Sequence, residues 1–230
     1  MPTALVTGGS KGLGRALTSA LATQGWIVVI DARDEEALRA AADRMSGVIA
    51  VPGDVTDPDH RQLLVETARA HGGVQLLVNN ASMLGPSPLP ALSTLGVGAL
   101  ERIYRTNVVA PLALTQLALP MLRHHNGVIV NVSSDAAVEP YAGWGGYGSS
   151  KAALDQLTRI LAAEEPTVAV YAFDPGDMRT EMHQAAFPGE DISDRPRPET
   201  VVPAVLRLVE DRPISGRYRA TDLLAPVAVA

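Results

Sequence analysis

Tyr147 and Lys151 stand four residues apart in YGSSKAALDQL, where a helical pattern begins. Residues i and i+4 share one face of a helix. A phenol and an ammonium are therefore presented side by side, a pair suited to proton chemistry and equally at home on an ordinary helix surface. A second stretch, TGGSKGLG at Thr7–Gly14, places Gly8, Gly12 and Gly14 with three and then one intervening residues. Such a turn lets the backbone come close to an anion. It would also serve a tight connection between two elements.

Short β-branched runs alternate with helical patterns along the chain. The runs predict strands at Thr3–Thr7, Ile27–Ile30, Val48–Val51, Val74–Asn80, Gly127–Ser134 and Thr167–Phe173. Helices are predicted at Gly14–Gly25, Asp34–Met45, Asp57–His71, Val97–His124 and Tyr147–Ala163, the fourth bent at Pro111 and Pro120. Continuous apolar strands imply helices on both faces. Strands separated by helices imply a parallel, doubly wound sheet in a three-layer αβα sandwich of Rossmann type. One domain over residues 1–230 is expected. Residues 176–198 are rich in Pro, Gly and charge and read as a substrate lid. Met178, Met182, His183 and Phe187 would line it or pack it down. The glycine turn then falls between the first strand and the first helix, where free N–H groups and the helix dipole favour a pyrophosphate.

Composition narrows the partners. The 230 residues are 47% hydrophobic and 4% aromatic, with a net charge of −6 and no basic run. Nucleic acid is not an expected partner. There is no cysteine, so thiolate chemistry and disulfides are excluded, and no metal is expected. His124–His125 closes a helix and reads as a cap of its last carbonyls. Neither a signal peptide nor a membrane span is legible, and a soluble cytoplasmic protein is expected.

These motifs are similar, in order, to those of the short-chain dehydrogenase/reductase family. TGGSKGLG resembles its T-G-x-x-x-G-x-G turn. Asp54–Val55, Asn79–Ala81, Asn107, Asn131–Ser134, Tyr147–Lys151 and Pro175–Thr180 follow. The resemblance covers roughly residues 3 to 180 and fades in the last fifty. It implies an oxidoreductase that interconverts a carbonyl and a secondary alcohol with a nicotinamide cofactor. Tyr147 would donate the proton, and Lys151 would lower its pKa from near 10 and hold the nicotinamide ribose. Ser134, thirteen residues before the tyrosine, would bind the carbonyl, and Asn107 would hold a water near Lys151.

Gly8, Ser10, Lys11, Gly12, Leu13, Gly14, Asp54, Val55, Asn80, Ala81, Pro175, Gly176 and Thr180 would bind the cofactor. Asp54, there to meet the adenine, could instead cap the following helix. Asp31 would favour NAD(H), while Lys11 and Arg33 would hold the extra phosphate of NADP(H). Two cations against one acid favour NADP(H). Ser82 departs from the family's usual glycine. Asp135 is expected as an outward turn residue; pointing inward, it would repel carboxylate substrates. The rival reading is a dinucleotide-binding sensor or scaffold without chemistry. Apolar residues around the two long helices, and the segment Leu223–Ala230, predict a homodimer or homotetramer.

Overall fold

A computed structural model describes residues 1–225 of the chain. The strands are β1 (Thr3–Val6), β2 (Ile27–Ala32), β3 (Val48–Pro52), β4 (Leu76–Asn79), β5 (Val128–Val132), β6 (Ala169–Asp174) and β7 (Gly216–Arg219). They pair in parallel in the order β3-β2-β1-β4-β5-β6-β7. The helices are α1 (Gly12–Thr23), α2 (Glu35–Ala42), α3 (Pro58–Ala70), α4 (Val97–Tyr104), α5 (Ala110–His124), α6 (Gly145–Glu164), α7 (Glu181–Ala186), α8 (Val202–Glu210) and α9 (Ala220–Leu224).

Successive strand residues point to opposite faces, and each face has its own core. Ala4, Val6, Val28 and Ile30 pack with Leu17 of α1, Leu38 of α2 and Leu208 of α8. Leu5, Val29, Leu77 and Ile129 pack with Leu64 of α3 and Leu114 of α5. This is the expected Rossmann-type αβα sandwich. Connections run one way from β1 to β3 and the other way from β4 onward. A crevice opens at the carboxyl ends of β1 and β4, where that direction reverses.

The long helix predicted over Val97–His124 is helical along its whole length, but a π turn, Arg105–Val109, divides it into α4 and α5. Pro111 has no N–H to offer the carbonyl of Asn107 four residues back, and the ladder adjusts upstream of the proline. The break thus falls on Asn107 rather than at Pro111 or Pro120.

The expected lid contains α7, whose cap Thr180 accepts a hydrogen bond from the His183 amide at 3.2 Å. Met182 and Phe187 pack against a small cluster of Leu84, Ala136, Tyr147 and Ala186. The apolar tail Leu223–Ala230 runs beyond the described residues. Among those described, no helix is long and apolar enough to cross a membrane.

Candidate active site

The crevice is about 500 Å³ in volume. One end is built by the turn from β1 into α1. Gly12 has φ +54° and Gly8 φ +69°, a left-handed backbone that glycine adopts without strain. At Gly14 a Cβ would stand 2.3 Å from the Gly8 carbonyl oxygen, so only glycine lets helix and turn come this close. Asn80 fastens the turn by donating to the carbonyls of Thr7 (2.8 Å) and Gly8 (3.2 Å). The Thr7 hydroxyl accepts the amides of Asn80 and Ala81, each at 3.0 Å. No side chain caps the start of α1. Its N–H groups face a crevice lined by Gly8, Ser10, Lys11, Gly12 and Leu13. Uncapped amides at a helix N-terminus, with backbone close by, suit a pyrophosphate.

The same crevice is lined by Asp31, Arg33, Asp54, Val55, Ala81, Pro175, Gly176 and Thr180, as well as Asn80. Gly14 lies beneath the turn and supports it. Asp31 is 2% exposed. One of its carboxylate oxygens accepts the Gly8 amide at 2.8 Å, and the other lies 3.2 Å from His60 Nε2. Its carboxylate therefore holds the glycine turn. Arg33 is exposed and makes no ion pair among the described residues. Lys11 pairs with Glu181 of α7 at 3.0 Å, a solvent-exposed contact across the mouth of the crevice. Asp54 accepts the amide and hydroxyl of Thr56, both at 2.8 Å. It shapes that turn, while the cap of α3 is Asp57.

At the other end, Ser134 after β5 and Tyr147 and Lys151 on α6 line one wall. Lys151 Nζ donates to the Val132 carbonyl at 2.7 Å and lies 5.4 Å from the centre of the Tyr147 ring. Burial pushes its pKa down to about 8, opposed by the charge of Asp155 one turn along α6. Burial also pushes the Tyr147 phenol up to about 12, with the Ser82 and Ser134 hydroxyls beside it pulling the other way. Burial is the largest influence on the phenol, because taking a phenolate out of water disfavours the charged form.

Asn107 is fully buried. Its Oδ1 accepts the Met83 amide (2.7 Å) and the Ser82 hydroxyl (3.2 Å), and its Nδ2 donates to the Met83 carbonyl and Ser150 Oγ, both at 2.9 Å. All four hydrogen-bonding positions of the side-chain amide are taken. The side chain thereby clamps the Ser82–Met83 segment to α6.

Asp135 serves the turn after Ser134 and also lines the crevice: its Oδ1 accepts from Ser134 Oγ at 2.9 Å and from the Ala136 amide at 2.8 Å. Ser82 stands where glycine was expected and adds a hydroxyl beside the phenol. Arg217 of β7 was not foreseen at all. Its guanidinium donates to Asp155 (3.0 Å), Asp174 (2.8 Å) and the Ser134 carbonyl (3.0 Å). It braces the loop behind Ser134. The only signal for it was a charged residue in a short run near the chain end.

Comparison with known proteins agrees with this geometry. Residues 2–191 match the protein family described as short chain dehydrogenase. An uncharacterized oxidoreductase of Saccharomyces cerevisiae is 36% identical over 182 residues, covering 77% of this chain and 71% of the relative. Sepiapterin reductase of Mus musculus is 33% identical over 199 residues, covering 79% and 76%. A solved Shigella flexneri chain, described as a short chain dehydrogenase complexed with NADP, superposes with a TM-score of 0.89. It is 28% identical, over 96% of this chain and 97% of that one.

Proposed function

Because the chain belongs to the short chain dehydrogenase family, we propose that it reduces a ketone or aldehyde with NADPH, interconverting a carbonyl and an alcohol. The observation that carries this reading is the Tyr147 phenol with Lys151 Nζ 5.4 Å from its ring centre and Ser134 on the same wall of a crevice whose far end is an uncapped helix N-terminus. A sensor would need the second feature and not the first.

A nicotinamide dinucleotide bound in the crevice supplies the hydride. Gly8, Ser10, Gly12, Leu13 and the amides of α1 hold its pyrophosphate; Asn80, Ala81, Pro175, Gly176 and Thr180 hold the nicotinamide half. Asp54 and Val55 meet the adenine. Lys11 and Arg33 favour NADP(H), since Asp31 is withdrawn under the turn, and the Shigella flexneri relative carries NADP. Tyr147 delivers its proton to the carbonyl oxygen as charge develops there. Ser134 turns its O–H from Asp135 to the same oxygen. The Lys151 ammonium stabilises the phenolate left behind, which offsets the burial that opposes it. Asn107 and Arg217 keep these groups in register. The segment 176–198 closes over the substrate end through Met182 and Phe187. Val109 of the π turn, Leu112 of α5 and Ile160 of α6 are 53%, 38% and 44% exposed and support pairing of subunits through these faces.

The test is loss of NADPH absorbance with a panel of carbonyl compounds. Tyr147→Phe should lower turnover about 10²–10⁴-fold, the usual contribution of a positioned acid, with NADPH affinity little changed. A variant that keeps more than about half the rate removes Tyr147 from the chemistry. A protein that binds NADPH and consumes none across the panel removes the reaction.

A further inference from the structure

We infer that Asp135 selects the substrate: its carboxylate receives a cationic nitrogen carried by the carbonyl compound and turns anionic analogues away. This rests on the carbonyl-reductase reading above and names the substrate class for the same crevice.

Three features support it. First, the carboxylate is fixed. Oδ1 accepts from the Ser134 hydroxyl and the Ala136 amide, and Oδ2 accepts from the Tyr141 hydroxyl at 2.9 Å. The Ala136 and Tyr141 bonds remain when Ser134 turns to the substrate. A carboxylate has about four lone-pair sites; with those two occupied, one on each oxygen remains to accept from a ligand. Second, its charge is uncompensated. The other acids at this end have partners: Glu181 pairs with Lys11, and Asp177 lies 3.7 Å from both His183 and Arg195. Asp135 takes part in no ion pair among the described residues. Lys151, the nearest catalytic cation, is turned to the Val132 carbonyl. Third, the walls around it are apolar: Leu84, Trp144 and Met182 line the same end. They suit a hydrophobic or aromatic body and offer no competing charge.

The carboxylate oxygen lies 2.9 Å from the hydroxyl that meets the reacting carbonyl. A charged group on the substrate a few ångströms beyond that carbonyl therefore lies within reach of Asp135. At an effective dielectric of about 20, two unit charges about 5 Å apart change affinity by roughly 10²-fold. Exposure at the crevice mouth reduces this, and a preference of about 10- to 100-fold for cation over anion is expected.

The experiment uses three aryl methyl ketones that differ only in the para substituent: aminomethyl, hydroxymethyl and carboxylate. Values of kcat/KM with NADPH are compared for the wild type, Asp135→Asn and Tyr141→Phe. The wild type should rank them ammonium, neutral, carboxylate. Asp135→Asn also disturbs Ser134 and lowers all three rates, but the ratio between substrates cancels that loss. The ammonium-to-carboxylate ratio should collapse to within about three-fold. Tyr141→Phe leaves the charge in place and should retain the ranking. An Asp135→Asn variant that keeps the wild-type ratio overturns the inference, as does a wild type that reduces the neutral and carboxylate ketones equally well. Both results leave carbonyl reduction standing. A wild type that binds NADPH and reduces none of the three overturns the reading and the inference together.

Discussion

Replacing Arg217 with leucine should weaken the fold and the site together, and the size of the loss follows from what the guanidinium touches. Its side chain is 16% exposed and both partner carboxylates are 4% exposed. Removing one member of a buried ion pair leaves an uncompensated charge and costs about 3–5 kcal/mol. For a chain of this length each kcal/mol corresponds to roughly 2–4 °C in Tm. Arg217→Leu should therefore melt roughly 6–20 °C lower at pH 7.5, read by circular dichroism. The pH dependence carries the mechanism. Burial raises the Asp155 carboxyl above its ordinary value, and Arg217 opposes that rise. With the arginine gone, the folded-state value climbs further. A carboxyl whose folded pKa exceeds its unfolded one binds its proton more tightly in the native state, so stability falls as pH rises through that window. The deficit of the variant should be larger at pH 8 than at pH 5. Arg217→Lys, with one donor group in place of a fork, should fall between. A leucine variant that melts within about 2 °C of wild type, with no change in deficit between pH 5 and 8, would refute the ionic brace.

Other measurements follow from the same geometry. Arg33→Ala should weaken NADPH binding about 10- to 100-fold, the loss of one charge-assisted bond, and leave NADH binding nearly unchanged; equal losses would return the choice to Asp31. Carbonyl reduction should fall as pH rises past about 8, where Lys151 loses its proton, while Tyr147, pushed to about 12, stays a donor throughout. Asp155→Asn removes the charge that holds Lys151 up, and should move that inflection to lower pH. A profile flat from pH 7 to 10 would show that the lysine charge is not used. Light scattering should give two or four times 24.2 kDa, and Leu112→Glu with Ile160→Glu should shift the mass toward one subunit; a wild-type monomer at micromolar concentration counts against pairing.

What the sequence made legible was whatever local pattern dictates. The inner strand runs bury both faces, so each announces itself without knowledge of its neighbours, and the edge strand β3, only partly buried, still carries a continuous apolar run. Gly8, Gly12 and Gly14 could be read because backbone conformation and close approach exclude every other residue there. β7 could not be read in this way. Its GRYR stretch has no apolar run and is a strand because Gly216–Arg219 pairs with Tyr171–Asp174. The same limit hid Arg217, whose partners lie 43 and 62 positions away in the chain.

Charges were misread wherever direction or competition decides the outcome. Asp135 adjoins a serine, and sequence alone does not say that its carboxylate turns toward that serine and Tyr141 rather than to water. Asp31 could be recognised as the acid closing β2, but its absorption by the Gly8 amide and His60 depends on α3 packing beneath the turn. For Lys151 the expected sign rested on proximity to Tyr147. In the folded protein burial governs both groups, driving the phenol up and the ammonium down. That burial is a property of the whole crevice, which the spacing of Tyr147 and Lys151 does not encode.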